Sequence, residues 1–274
     1  NGVLFRVGVP SVYGSLFLMQ EEISLTRAKQ RHEKVVSDIL IGIFTGQLTA
    51  GKKLPTEKEL SEEMKVDRTT LRVALKQLEA MHLLEIRQGD GIYVKDYMKH
   101  AGMDFLRTLM LSQEEVNAQL IIDQYLFDEL WEFWMIFLPE IIKMAARKSS
   151  PRDLKTLMAM VEQEREHIGN LDQVVEIELS QQDFIAQLTN NIVIILLFNS
   201  SRPIRKKMLE IIFNAISREE LQQHLETKTV LLRDYYSGVS QYDPDVFDKY
   251  RQIISGYRDR IIQSFIQNDA DESG

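Results

Sequence analysis

The amino-acid sequence predicts a mainly α-helical chain in two parts: a short N-terminal unit of three helices and one β-hairpin, then a bundle of six or seven helices. Three observations carry this expectation. Apolar residues recur at three- and four-residue spacing along most of the chain, two short alternating runs flank Gln88-Gly89-Asp90, and beyond Tyr97 the pattern is helical throughout. The 274 residues suit one large domain or two ordinary ones, and 44% hydrophobic content is enough to build a core in each.

Residues 1–30 mix glycines and a proline with apolar residues, lack the basic start and unbroken apolar core of a signal peptide, and read as a leader or arm outside the fold. From Arg31 to Thr45, Val35, Val36, Ile39, Leu40, Ile43 and Phe44 give a helix one dry face, and Gly46 ends it. Gln47 to Lys53 is a polar loop. Thr56 then caps a short helix, with Glu59 three residues on to complete a capping box and Leu60 as its first core contact; this helix ends near Met64. Asp67 caps a third helix with Leu71, Ala74, Leu75 and Leu78 on its inner face. Leu83–Arg87 and Gly91–Val94 form the hairpin. Two capped helices joined by about three residues and followed by a glycine-tipped hairpin make a winged helix over residues 31–96.

Residues 97–112 read as a connector, and 113–270 as an all-helical domain. Helical segments are expected near 114–149, 151–168, 172–199, 203–237 and 244–267, broken at Ser150-Pro151, Gly169-Asn170, Arg202-Pro203 and Asp243-Pro244. Tyr125–Leu138 and Ile192–Phe198 are apolar around most of their circumference, which predicts burial within the bundle.

Charge is unevenly divided. The chain carries 33 Lys and Arg against 41 Asp and Glu, a formal net charge of −8 that argues against a nucleic-acid partner. Residues 31–100, however, hold 12 basic and 11 acidic residues, so the acidity belongs to the later part. Within the head the bases gather where a helix N-terminus meets DNA: Arg68, Thr69, Thr70 and Arg72 open the third helix, where amides and hydroxyls suit phosphate and arginines suit guanine edges. Lys58, Arg87 and Gln88 flank them, and Gly89 and Gly91 let the wing tip approach a backbone closely. A near-neutral head implies modest affinity for one copy, hence a dimer.

No catalytic set is present: we find no nucleophile–base pair, phosphate loop or metal cluster, and Glu162 and Glu166 lie on an amphipathic helix as solvated charges. The chain is therefore not expected to be an enzyme. Cysteine is absent, which removes disulfides and thiolate metal sites. The longest apolar runs fall far short of the roughly 20 residues a bilayer span needs, so a cytoplasmic protein without membrane contact is expected.

The stretches Leu54-Pro55-Thr56-Glu57-Lys58-Glu59-Leu60-Ser61, Val66-Asp67-Arg68-Thr69-Thr70-Leu71-Arg72-Val73-Ala74-Leu75-Lys76-Gln77-Leu78 and Gln88-Gly89-Asp90-Gly91-Ile92-Tyr93-Val94 resemble the winged-helix domain of GntR-family transcriptional regulators. The resemblance covers 31–96. It implies binding of a double-stranded operator as a homodimer, with Lys58, Arg68, Thr69, Thr70 and Arg72 at DNA-contacting positions and Gln88 and Gly89 at the wing tip. An all-helical second domain resembles the FadR subfamily, and Asp96–Leu106 looks like the connector of its fatty-acid-responsive members.

Many proteins of that subfamily hold a metal through Asp-x3-His and two later histidines, with an arginine for a ligand carboxylate. Here Gln181 and Ile185 align with the Asp and His, Met135 falls where the arginine would be, and no histidine follows His224. The resemblance then implies a sensor without metal or other cofactor. His167 and His224 read as ordinary polar-face histidines and Asp183 as a helix-surface charge. Trp131, Trp134, Met135 and Phe184 are read first as core and second as the lining of an apolar ligand pocket. The effector expected there is a fatty acyl-CoA or similar apolar acid, the alternative being a small organic or sugar acid.

Overall fold

The computed structural model describes residues 31–112, 124–236 and 255–263. The chain divides into two compact units, with the boundary between residues 118 and 119.

The first unit opens with α1 (31–44), which buries Val35, Val36, Ile39, Leu40 and Ile43, and turns at Gly46 through a positive φ of 76° that favours glycine. Helix α2 (Glu57–Glu63) starts at Thr56, whose hydroxyl accepts the Glu59 amide at 3.3 Å while the Glu59 carboxylate accepts the Thr56 amide at 2.8 Å, and it ends at Met64. Helix α3 (Arg68–Ala80) is capped by Asp67 and buries Leu71, Ala74, Leu75 and Leu78. Strands β1 (Leu84–Arg87) and β2 (Gly91–Val94) pair antiparallel, Leu84 opposite Val94 and Arg87 opposite Gly91.

The loop before α2 is more than a polar connection. Its end, Gly51–Leu54, bonds along β2 through Gly51 N–H to Val94 O and Leu54 N–H to Ile92 O, both 2.8 Å, with Lys53 bridged to Tyr93. Backbone pairing leaves no hydrophobic alternation in so short a run, which hid it from the sequence. Residues of the expected connector form α4 (Tyr97–His100) and α5 (Met103–Ser112) within this same unit. Tyr97 and Phe105 pack at tilted angles beside Phe44, the three ring centroids lying 5.1–6.3 Å apart, and the Thr108 hydroxyl donates to the Met81 sulfur.

The second unit contains α6 (Gln124–Ala146), α7 (Pro151–Glu166), α8 (Leu171–Leu188), α9 (Ile192–Asn214), α10 (Arg218–Tyr236) and α11 (255–263). Helix α8 is central and packs on α6, α7 and α9, while α10 lies against α7. Val174, Val175, Leu179, Leu209, Phe213 and Leu221 form one core cluster, and Ile141, Ala186 and Phe198 another.

Two breaks fall elsewhere than expected. Helix α9 runs through Pro203 despite the ~3 kcal/mol that an internal proline costs; Arg202 and Arg205, on either side of it, are both paired with Asp183 of α8, and its inner face is buried through Phe198, Ile204, Met208 and Leu209. The chain turns instead at Asn190, left-handed with φ 47°, and Asn191, whose side chain accepts from the amides of Val193 and Ile194. A second turn precedes α10, where Ser217 and Glu220 exchange capping bonds. The expected break at Asp243-Pro244 lies outside the described residues.

The all-round burial expected for the two apolar helices is also corrected. Ile192 and Val193 are about 70% exposed, Leu196 58% and Ile136 62%. Only one side of each helix, including Trp134 and Leu138 on α6 and Ile194 and Phe198 on α9, packs into the bundle. Hydropathy around a helix says how many faces are apolar, not how many have a neighbour.

Candidate nucleic-acid interface and a cavity in the helical unit

Helix α3 presents its N-terminal turn to solvent because its inner face is taken by leucines and alanine. The Asp67 carboxylate accepts from the Thr70 amide at 2.9 Å and hydroxyl at 2.7 Å, and these bonds hold its pKa below the usual carboxylate value. The Thr70 hydroxyl proton is thus committed to the cap. Arg72 Nε donates to Glu57 on α2 at 2.7 Å, an exposed pair of the kind worth at most about 1 kcal/mol and readily exchanged. Arg68 and Thr69 are exposed and their side chains make no bond to other described residues; the same holds for Lys58 on α2 and Gln88 at the wing tip.

The wing brings together residues that the sequence separates by almost 40 positions. Lys53 Nζ meets Asp90 at 3.3 Å and lies 5.5 Å from the Tyr93 ring, while the Arg87 guanidinium stacks on the other part of that wing at 4.3 Å from the same ring. Asp90 also accepts from the Tyr93 hydroxyl at 3.0 Å; bonds to Tyr93 and Lys53 lower its pKa. Gly89 has φ 77°, and a Cβ on Gly91 would run into the Lys53 side chain. Sequence reasoning named Arg87, Gln88 and Gly89 but missed Lys53, because only the pairing of 51–54 along β2 places it at the wing.

The helical unit contains a cavity of about 100 Å³ that is partly open to solvent. Trp131, Trp134 and Met135, three of the four expected ligand-facing residues, line it; Phe184 is half-buried and is not among the lining residues. The remaining wall is apolar from Leu138, Met208, Ile212 and Phe213, and polar at one end from Glu178, Gln182, Arg205 and His224.

That polar end belongs to a buried network. Arg205, 2% exposed, donates from Nη1 to Gln182 at 2.8 Å and from Nη2 to Asp183 at 2.5 Å and to the Phe198 carbonyl at 2.9 Å. Burial pulls its pKa down, against the pull of Asp183. Gln182 donates to Glu178 at 3.0 Å, Glu178 pairs with Lys228, and Lys228 also reaches Glu164 at 3.0 Å, where Gln181 donates as well at 2.7 Å. Burial pushes the Glu164 carboxyl above its ordinary value; burial also pushes Glu178 up, but Lys228 more than reverses this and leaves it low.

His224 is buried, not on a polar face as its surroundings in sequence suggest, and burial together with Lys228 lowers its pKa to about 4. Asp183, expected as a surface charge, is the common partner of Arg202 and Arg205. His167 stays at the end of α7, its Nδ1 2.7 Å from the Gln163 carbonyl. Among the described residues no three His, Asp or Glu side chains converge as a metal site, and no helix is long and apolar enough to cross a membrane.

Three helices closed by a two-stranded wing, with an exposed cationic helix start, define a winged-helix fold. Residues 31–94 match the family model for bacterial regulatory proteins of the gntR family. Among known proteins, the chain is 34% identical over 119 residues to the HTH-type transcriptional regulator Mce2R of Mycobacterium tuberculosis, covering 43% of this chain and 47% of that one. It is 27% identical over 165 residues to the HTH-type transcriptional regulator LutR of Bacillus subtilis, covering 57% and 70%. The chain spans about half the length of the first relatives it matches. The matched relatives are transcriptional regulators, not enzymes. In fold it is similar to the solved structure of Lar, described as controlling expression of the Listeria monocytogenes agr system, with a TM-score of 0.55 at 16% identity over 85% of this chain and 96% of that one.

Proposed function

We propose that the chain is a dimeric transcriptional regulator of FadR type whose operator affinity is set by a small molecule bound in the helical unit. The observation that carries it is the start of α3: Arg68 and Thr69 stand exposed and uncommitted on a capped helix inside the segment that matches the gntR family model. Arg68, with Arg72 once it leaves Glu57, reads base edges in the major groove; Thr69, Lys58 and the cap amides position phosphates; Gln88 and Gly89 of the wing follow the adjacent backbone. In this reading Thr70 acts mainly through the cap that aims its neighbours.

A second copy has a face to dock on. Ile192, Val193 and Leu196 of α9 and Ile136 of α6 are large, apolar and exposed on the unit whose acidity keeps it off DNA. A homodimer built there doubles the phosphate contacts of a near-neutral head. The effector, an acyl thioester or similar apolar molecule, occupies the cavity; its mainly hydrophobic wall favours this over a sugar acid. Ligand binding biases the placement of the two heads, with residues 97–112 as the coupling element through the Phe44, Tyr97 and Phe105 cluster.

The test is duplex-DNA affinity of the full chain as a function of salt. Lys58→Ala should weaken binding evenly across sequences and reduce the slope of log K against log salt by about one. An unchanged slope removes Lys58 from the interface, and a monomeric mass in sedimentation removes the dimer.

A further inference from the structure

The wing joins three short segments, 51–54, β1 and β2, and its two faces are unlike. Leu54, Leu84, Ile92 and Val94 are buried on the inner one. Residues paired across strands, or two apart along one, share a face, so Lys53, bridged to Tyr93, stands on the outer face with Glu85, Arg87, Gly91 and Tyr93. The Lys53 stem passes directly over Gly91: a Cβ at that position would sit 2.5 Å from Lys53 Cε. Glycine there leaves the path to the turn open.

The Lys53 ammonium ends 3.3 Å from Asp90, next in sequence to Gly89 at the tip. Asp90 is itself held by the Tyr93 hydroxyl at 3.0 Å, and the Tyr93 ring carries both wing cations, Lys53 at 5.5 Å and Arg87 at 4.3 Å. A lysine 37 positions away in sequence is thus delivered to the wing tip. On this face Lys53 answers Asp90 and Arg87 answers Glu85 at 2.9 Å, two cations against two carboxylates. The Lys53 and Asp90 side chains are both about half exposed, and a pair of this kind is weakly held. A DNA duplex offers one phosphate charge per ~1.7 Å of its axis, so a phosphate competes well with the single carboxylate for this ammonium.

We propose that Lys53 is a DNA-contacting residue of the wing, whose ammonium leaves Asp90 for a phosphate on the backbone that Gln88 and Gly89 follow. This rests on the reading of the head as a DNA-binding unit. In the free protein Asp90 holds Lys53 at the tip, and in the complex its carboxylate opposes the phosphates.

Affinity of the full chain for a short mixed-sequence DNA duplex is measured by fluorescence anisotropy between about 50 and 200 mM salt. Lys53→Gln keeps most of the stem and removes the charge. It should lower the slope of log K against log salt by about 0.9 and weaken binding about five- to tenfold near 0.1 M. Lys53→Arg should keep the wild-type slope. So should Lys52→Gln, the same charge change on a side chain whose Nζ donates instead to the Gln47 carbonyl at 3.3 Å. Asp90→Asn should tighten binding, and in that background Lys53→Gln should still lose about 0.9 of slope. Unchanged melting temperatures check that the head stays folded. If Lys53→Gln loses nothing in the Asp90→Asn background, Lys53 only neutralises Asp90 and the proposal falls; it falls too if Lys52→Gln matches Lys53→Gln. An unchanged slope in Lys53→Gln, with the wild-type chain binding, overturns the contact and leaves the DNA-binding reading standing. A wild-type chain that binds no duplex overturns both.

Discussion

The two units differ in whether they bury charged side chains. In the winged-helix unit the ion pairs are exposed, Arg72 with Glu57 and Lys53 with Asp90, and can be exchanged for phosphates at little cost. The helical unit carries exposed pairs as well, such as Arg165 with Glu162, but it also holds buried ones, Arg205 with Asp183 and Lys228 with Glu178 and Glu164, which tie four helices together. Exposed charge stays open to exchange, whereas buried charge fixes the shape of the bundle. Substitutions should therefore separate the two units by size of effect.

The largest effect is expected at Asp183. Replacing it by Ala leaves the Arg205 guanidinium buried without its carboxylate, a loss of about 3–5 kcal/mol that should unfold the helical unit well before the head in thermal denaturation followed by hydrogen exchange. Coincident melting of both units at the wild-type temperature would contradict the comparison.

Next comes pH. His224 is neutral in the fold, with a pKa near 4 against about 6.5 unfolded, so the unfolded chain binds more protons between those values. The stability it provides is complete above about pH 6.5 and is lost as pH falls toward 4, amounting to about 3 kcal/mol. Glu178 and Lys228 face the same region, so the comparison is made with His224→Gln, whose denaturation midpoints should fall less steeply over that window. Parallel curves would place the acid sensitivity elsewhere.

A smaller change is expected from Thr56→Ala, which removes the α2 cap: a few degrees off the melting temperature of the head, with the helical unit unaffected. The smallest is Glu162→Gln. Its pair with Arg165 is exposed on α7, and stability should stay within about 0.5 kcal/mol of wild type.

The same contrast explains what could be read in advance. In the head, local signals suffice: Thr56 with Glu59, Asp67 before a leucine face, and a Gln-Gly-Asp turn between alternating runs each act within a few residues, and the structure shows the caps and the hairpin where they were expected. Lys53 escaped because its place is set by backbone pairing with Tyr93, far away in sequence. In the helical unit the deciding interactions are tertiary. Pro203 signals a break, and only the packing of α9 on α8, with the bonds from Arg202 and Arg205 to Asp183, accompanies the helix through it. Asn190 and Asn191 carried a turn signal that an apolar run on either side obscured. Trp131, Trp134 and Met135 were legible as apolar, but the polar end from Glu178, Gln182 and His224 was not, since burial of polar residues leaves no periodic trace.

The central claim, that the head reads a specific DNA sequence through α3 in a two-fold arrangement, is tested most directly by selecting bound duplexes from a random library with the full wild-type chain and with Arg68→Ala. The account predicts that the wild-type chain enriches an inverted repeat with half-sites about one helical turn apart, and that Arg68→Ala loses the preference at one position of each half-site. Enrichment of no sequence, or of the same sequence by both proteins, would contradict it.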